Sequence, residues 1–74
     1  MSLKKIQNEI GKRLRNLRTA KNLSQEQVSL EIKISRDHLS NIENGKFPIN
    51  IKTLYKLSCF YEVKLEYFFE GLKY

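Results

Sequence analysis

Two short apolar-periodic stretches, each preceded by a serine, lie only about three residues apart in mid-chain, and no other feature restricts folding as much. Ser24 precedes Val28 and Ile32, and Ser35 precedes Leu39 and Ile42. A serine hydroxyl accepts from a backbone N–H of the turn that follows it, so each serine marks a helix start. Gln27, three residues after Ser24, completes a capping box. The helices so defined cover Gln25–Ile32 and residues 36–44, with Gly45 ending the second. Residues 33–35 are too few to let an antiparallel hairpin lie flat. The two helices must cross steeply, and Val28, Ile32, Ile34, Leu39 and Ile42 must meet beneath them.

Helices also account for the rest of the chain. Leu3, Ile6, Ile10, Leu14 and Leu17 recur at steps of three and four, so residues 3–21 form one amphipathic helix. Lys4, Lys5, Lys12 and Arg15 lie off its apolar stripe and make its outer side cationic. Arg13 and Arg18 flank the stripe, where each can pair with a group at the edge of the core. Asn22 suits a left-handed residue at the end of this helix, and Leu23 returns to the core. Asn50 caps a fourth helix, Ile51–Tyr61, which turns Ile51, Leu54, Leu57, Ser58 and Tyr61 to one side. Residues 65–72 read as a fifth helix, rich in aromatics. With no strand alternation, repeat or linker, the expected fold is all-α, one compact five-helix domain over residues 1–74.

Several function classes are disfavoured. One cysteine, Cys59, allows neither an internal disulfide nor a cysteine-based zinc site, and His38 is the only histidine. No metal or other cofactor is expected. Asp37, His38 and Ser40 share one short helix on which their side chains diverge, so they cannot assemble a catalytic relay. There is no glycine-rich phosphate loop, and a core this small leaves no sizeable pocket for a small molecule. The chain is therefore not expected to be an enzyme. No apolar run approaches the roughly 20 residues that span a bilayer, and no apolar signal core follows the first bases. The expected location is the cytoplasm.

The formal charge of +6 is uneven. Residues 1–21 hold seven bases against one acid, Glu9. A cationic face attracts polyanions, nucleic acid first and an anionic membrane second. The second of the two crossed helices offers the matching surface. Its outer side carries Arg36, Asp37, Ser40 and Asn41, which differ in hydrogen-bonding character, and such a rod fits the major groove of DNA. Arginine can fork onto guanine, asparagine onto adenine, and aspartate can accept from cytosine; Asp37 can also orient Arg36 or answer the helix dipole. Gln25, at the start of the helix before it, has free backbone N–H groups and an amide able to grip a phosphate. Ser24, Asn44 and Lys46 are better placed for phosphates than for bases.

The motifs R-x-L-R, L-S-Q, I-S-x-x-x-L-S-x-I-E-N-G and T-L-x-x-L occur in this order between Ile10 and Phe69. Together they resemble the lambda-repressor-like helix-turn-helix domains of the Cro/XRE type. The resemblance implies five helices, with the helix-turn-helix at residues 24–44 and the third helix reading DNA. It implies that Gln25 contacts phosphate, and that Arg18 and Glu43 form a salt bridge tying helix one to helix three and aiming Arg18 at phosphate. In such proteins the fifth helix makes a two-fold dimer. Phe60, Tyr61, Tyr67, Phe68, Phe69 and Tyr74 crowd the last fifteen residues. Tyr61 and Phe69 are expected in the core, and Leu65, Tyr67 and Phe68 at the dimer interface. The family usually has glycine at the positions of Asn22, Lys33 and Glu62, and its proline stands one residue later than Pro48. The function so implied is a homodimeric transcriptional regulator on a palindromic double-stranded operator. The alternative is an antitoxin or adaptor that grips another protein through its aromatic C-terminus. Leu30, His38 and Cys59 find no role in either reading.

Overall fold

The structure, a computed structural model, describes residues 2–46 and 49–72; Pro48 and Tyr74 lie outside them. Among the described residues four α-helices follow one another: α1 (Leu3–Ala20), α2 (Gln25–Ile32), α3 (Arg36–Glu43) and α4 (Ile51–Tyr61). Each starts on a residue whose side chain accepts from the first turn. Ser2, Ser24, Ser35 and Asn50 take the N–H of Lys5, Gln27, His38 and Thr53 respectively. At α2 the Gln27 side chain also accepts from the Ser24 N–H at 2.8 Å, so the capping box is closed in both directions.

Among the described residues, three of the left-handed positions are not glycine. Asn22, Lys33 and Glu62 adopt φ of 56°, 61° and 57°. At Lys33 this conformation folds the chain sharply enough for Ile34 N–H to reach Ser29 O at 3.0 Å, which ends α2 and aims the chain into α3.

The expected fifth helix over residues 65–72 is a shorter and tighter element. Leu65–Phe69 form one 3₁₀ segment, and Glu70 is already extended. Lys64 supplies no side-chain cap, so the first turn lacks the anchor present in front of every other helix. The tighter winding changes which aromatic faces inward. At about three residues per turn Leu65 and Phe68 stand on one side. Phe68, expected at a dimer interface, is fully enclosed, whereas Phe69, expected in the core, is half-buried.

Phe68 joins Ile10, Leu14, Val28, Ile32, Leu39, Ile42, Leu54, Leu57 and Tyr61 in one core. Helix α1 runs behind α3, and their backbones nearly touch. A Cβ placed on Gly11 would stand 2.5 Å from Glu43 O and 2.6 Å from Ile42 O, so only glycine permits this crossing. Gly45, with φ of 70°, turns the chain out of α3 directly beside Asn8 of α1. At the other flank of α1, Arg13 donates to Tyr67 O at 2.8 Å and to Glu70 O at 2.6 Å, fastening the 3₁₀ segment.

Candidate nucleic-acid interface

Helix α3 has one greasy and one polar side, as its sequence demands. Leu39 and Ile42 are fully enclosed. On the opposite side Arg36 and Asp37 are exposed, and Ser40 and Asn41 are half-exposed one turn further along. All four residues expected to read bases therefore share one outer flank. Asp37 sits in the first turn, where its charge complements the positive end of the helix dipole. His38 is half-buried beside them.

Three of the residues expected to hold phosphates, Arg18, Ser24 and Gln25, gather at the junction of three helices. Arg18, Ser24, Gln25, Glu26 and Arg36 line one shallow polar depression, where the start of α2 faces the start of α3. Beneath it lies the carboxylate of Glu43, whose side chain has no exposed surface. Arg18 grips it in a fork, Nε to Oε2 at 2.8 Å and Nη2 to Oε1 at 3.1 Å, and donates from Nη1 to Leu23 O at 2.8 Å. Gln25 adds a third donor to the carboxylate, Nε2 to Oε1 at 3.1 Å. One buried acid thus ties α1, α2 and α3 together. The bond to Glu43 raises the Arg18 pKa, so the guanidinium is held still more firmly in its charged form.

This geometry reshapes two expected roles. Arg18 lies at the rim of the depression, but each of its three nitrogens is engaged within the protein, and its side chain is only 13% exposed. Gln25 has turned its amide inward to Glu43, which leaves its carbonyl oxygen and the backbone of the first turn of α2 as its outward groups. Ser24 is exposed and is occupied as the cap. Asn44 and Lys46 are exposed at the exit of α3, where Lys46 N–H bonds to Asn41 O at 2.9 Å.

Sequence reasoning missed two participants. Gly11 drew no notice because nothing local to it shows what it packs against. Arg15 was counted only among the outer cations, yet its Nε stands 3.8 Å from Glu43 Oε1 and its Nη2 donates to Asn44 Oδ1. Its spacing of three from Arg18 held the clue, since residues three apart lie on neighbouring parts of a helix surface.

Away from this flank, Leu65 and Tyr67 are half-buried beside Arg13. Among the described residues the most exposed large apolar side chains are Leu30, Leu3, Ile51 and Tyr55. Leu3 and Ile51 border an apolar groove shared with Ile6, Ile49 and Phe69. Among the described residues no helix is long and apolar enough to cross a membrane.

Comparison with known proteins agrees with this architecture. A family model described as helix-turn-helix matches residues 14–68. The chain is 36% identical over 63 residues to the HTH-type transcriptional activator BcrR of Enterococcus faecalis, covering 85% of this chain and 31% of BcrR. It is 32% identical over 71 residues to an uncharacterized HTH-type transcriptional regulator, RC0668, of Rickettsia conorii, covering 96% of this chain and 57% of that protein. The chain thus spans from under a third to somewhat over half of the length of these two relatives. Among solved structures, the restriction-modification controller protein C.AhdI from Aeromonas hydrophila superposes with a TM-score of 0.78 at 30% identity, covering 82% of this chain and 92% of that one.

Proposed function

The chain belongs to the helix-turn-helix family, Cro/XRE type, and from that premise we propose that it binds double-stranded DNA sequence-specifically as a transcriptional regulator. The observation that carries this reading is the polar flank of α3. Four side chains of different hydrogen-bonding character stand together on an exposed helix whose other side is locked into the core. Arg36 and Asn41 read bases in the major groove, with Asp37 and Ser40 as secondary contacts. Ser24, Gln25, Asn44 and Lys46 fix the register on phosphates, and Arg18 braces the start of α2 from behind.

The protein acts as a homodimer on a palindromic operator, placing two copies of α3 in successive major grooves about 34 Å apart. Self-association uses Leu65 and Tyr67 on the 3₁₀ segment, without the enclosed Phe68, and Phe69 of the same segment lines the apolar groove bordered by Leu3 and Ile51. Similarity to a controller protein and to a named activator makes either sign of regulation compatible with this fold. Selecting binding sites from random duplex DNA tests the reading. The expected product is a two-fold symmetric consensus with half-sites one helical turn apart. With about six phosphates neutralised, log affinity should fall against log salt with a slope near −5. Recovery of no enriched sequence overturns the specific-binding reading, and an asymmetric single half-site overturns the dimer.

A second reading, an adaptor that grips another protein, draws on the exposed Leu30 and Tyr55, which line grooves of α2 and α4 that share Glu31 and Phe60. It expects Leu30→Ser and Tyr55→Ser to leave DNA binding intact and to abolish regulation in cells.

A further inference from the structure

Resting on the DNA-binding reading above, we infer that Arg15 of α1 is a DNA-backbone contact, so that the interface extends from the two crossed helices onto the first.

The argument begins with charge. Buried Glu43 has its negative charge matched by the Arg18 fork at 2.8 and 3.1 Å. Arg15 lies 3.8 Å from the same carboxylate and is a second cation on an acid already paired. The three groups together carry one net positive charge. That excess sits at the surface, because the Arg15 side chain is 46% exposed whereas Arg18 is 13% exposed.

Geometry gives the charge a direction. Arg15 Nη2 donates to Asn44 Oδ1, and Asn44 Nδ2 approaches Ser40 Oγ at 3.5 Å. A line of polar groups therefore runs from α1 across the end of α3 onto the flank that carries Asn41 and Arg36. Arg15 stands at the outer end of this line, next to the exposed Asn44 and near the exit of α3, where a duplex seated on α3 brings its sugar-phosphate strand. Nε and Nη2 are engaged, and among the described residues Nη1 donates to nothing. A guanidinium tethered at one edge with its other edge facing solvent is pre-organised for a phosphate oxygen, since less side-chain freedom remains to be lost on binding.

A backbone contact carries no sequence information, and this sets it apart from the base readers on α3. The test compares the intact protein with Arg15→Gln and Arg15→Lys on two duplexes of equal length, one bearing the selected site and one of random sequence. Affinities are measured by fluorescence anisotropy over a salt series, below the melting temperature of every variant. Arg15→Gln should weaken both duplexes alike, by roughly tenfold at low salt, and reduce the log–log salt slope by about 0.9 for each bound chain. Arg15→Lys, which keeps the charge without the fork, should restore the slope. A slope unchanged in Arg15→Gln overturns the inference, as does a loss confined to the selected duplex. Failure of the unaltered protein to bind either duplex would instead bring down the DNA-binding reading itself.

Discussion

Two arginines of α1, Arg18 and Arg13, grip two different regions of the protein, and those regions are built on different terms. Arg18 reaches the buried Glu43 carboxylate and fixes α2 and α3 through a fully desolvated acid. Arg13 reaches the backbone carbonyls of Tyr67 and Glu70 and fixes the 3₁₀ segment through neutral acceptors near the surface, with Glu9 3.8 Å away as an exposed partner. The first attachment is specific to one side chain and costly to break. The second needs only a carbonyl at the right distance, whatever residue bears it. The half proposed to read DNA is thus held to one geometry, and the half proposed for self-association is held through acceptors that any residue supplies.

The largest expected effect breaks the first region at its centre. Glu43→Ala strips the acceptor from Arg18 Nε and Nη2 and from Gln25 Nε2, leaving Arg18 only its bond to Leu23 O, and removing one partner of a buried pair costs about 3–5 kcal/mol. Urea denaturation should show that loss, and a drop under 1 kcal/mol would mean the pair is far better solvated than its enclosure indicates. Next comes the helix crossing. Gly11→Ala puts a methyl against two backbone carbonyls that cannot swing aside, so α1 and α3 must part, for a loss of about 2 kcal/mol in the same assay. Breaking the second region should cost less. Arg13→Ala removes two hydrogen bonds from a charged donor to partly exposed carbonyls, about 1–2 kcal/mol. Amide exchange should then quicken in residues 65–72 and not in α3. Uniform quickening through the whole chain would erase the contrast between the regions.

Two smaller effects sharpen it. Tyr61 lies under the Arg18–Glu43 pair with its hydroxyl buried and, among the described residues, unpartnered. Burial first, then the Glu43 charge, pushes its pKa up to about 12, against the pull of Arg18. In the unfolded chain a tyrosine titrates near 10. The folded form therefore holds its proton longer, and this contribution is complete below about pH 10 and lost as pH rises through about 12. Tyr61→Phe should flatten the alkaline stability loss in that window and add up to about 1 kcal/mol at neutral pH by removing an orphaned hydroxyl. At the turn between α2 and α3, Lys33→Gly relieves a left-handed lysine and should stabilise by up to about 1 kcal/mol, leaving DNA affinity unchanged. A lower melting temperature would show that the lysine side chain contributes packing that outweighs its backbone strain.

What could be read from the sequence follows the same division. The starts of α2, α3 and α4 were visible because Ser24, Ser35 and Asn50 act within their own first turns, and such local chemistry needs no knowledge of the fold. The left-handed turn at Asn22 was visible because asparagine tolerates that conformation, whereas those at Lys33 and Glu62 were visible only through resemblance, from residues standing where relatives have glycine. The polar flank of α3 emerged from helical spacing alone. By contrast, Gly11 and Arg15 owe their importance to what crosses them, and that is absent from any local window. The last element was misjudged because five residues of a 3₁₀ turn and of an α-helix share nearly the same apolar pattern. The winding decides whether Phe68 or Phe69 turns inward, and here the missing cap at Lys64 accompanies the tighter form.

The grip of Arg13 on main-chain oxygens has an evolutionary corollary. A clasp indifferent to side-chain identity lets the exposed positions of the tail change while Phe68 stays in the core, so in the proposed dimer new pairing preferences can arise there by drift. Duplicate copies of such a gene could stop mixing with one another before either had altered a single letter of the site it recognises.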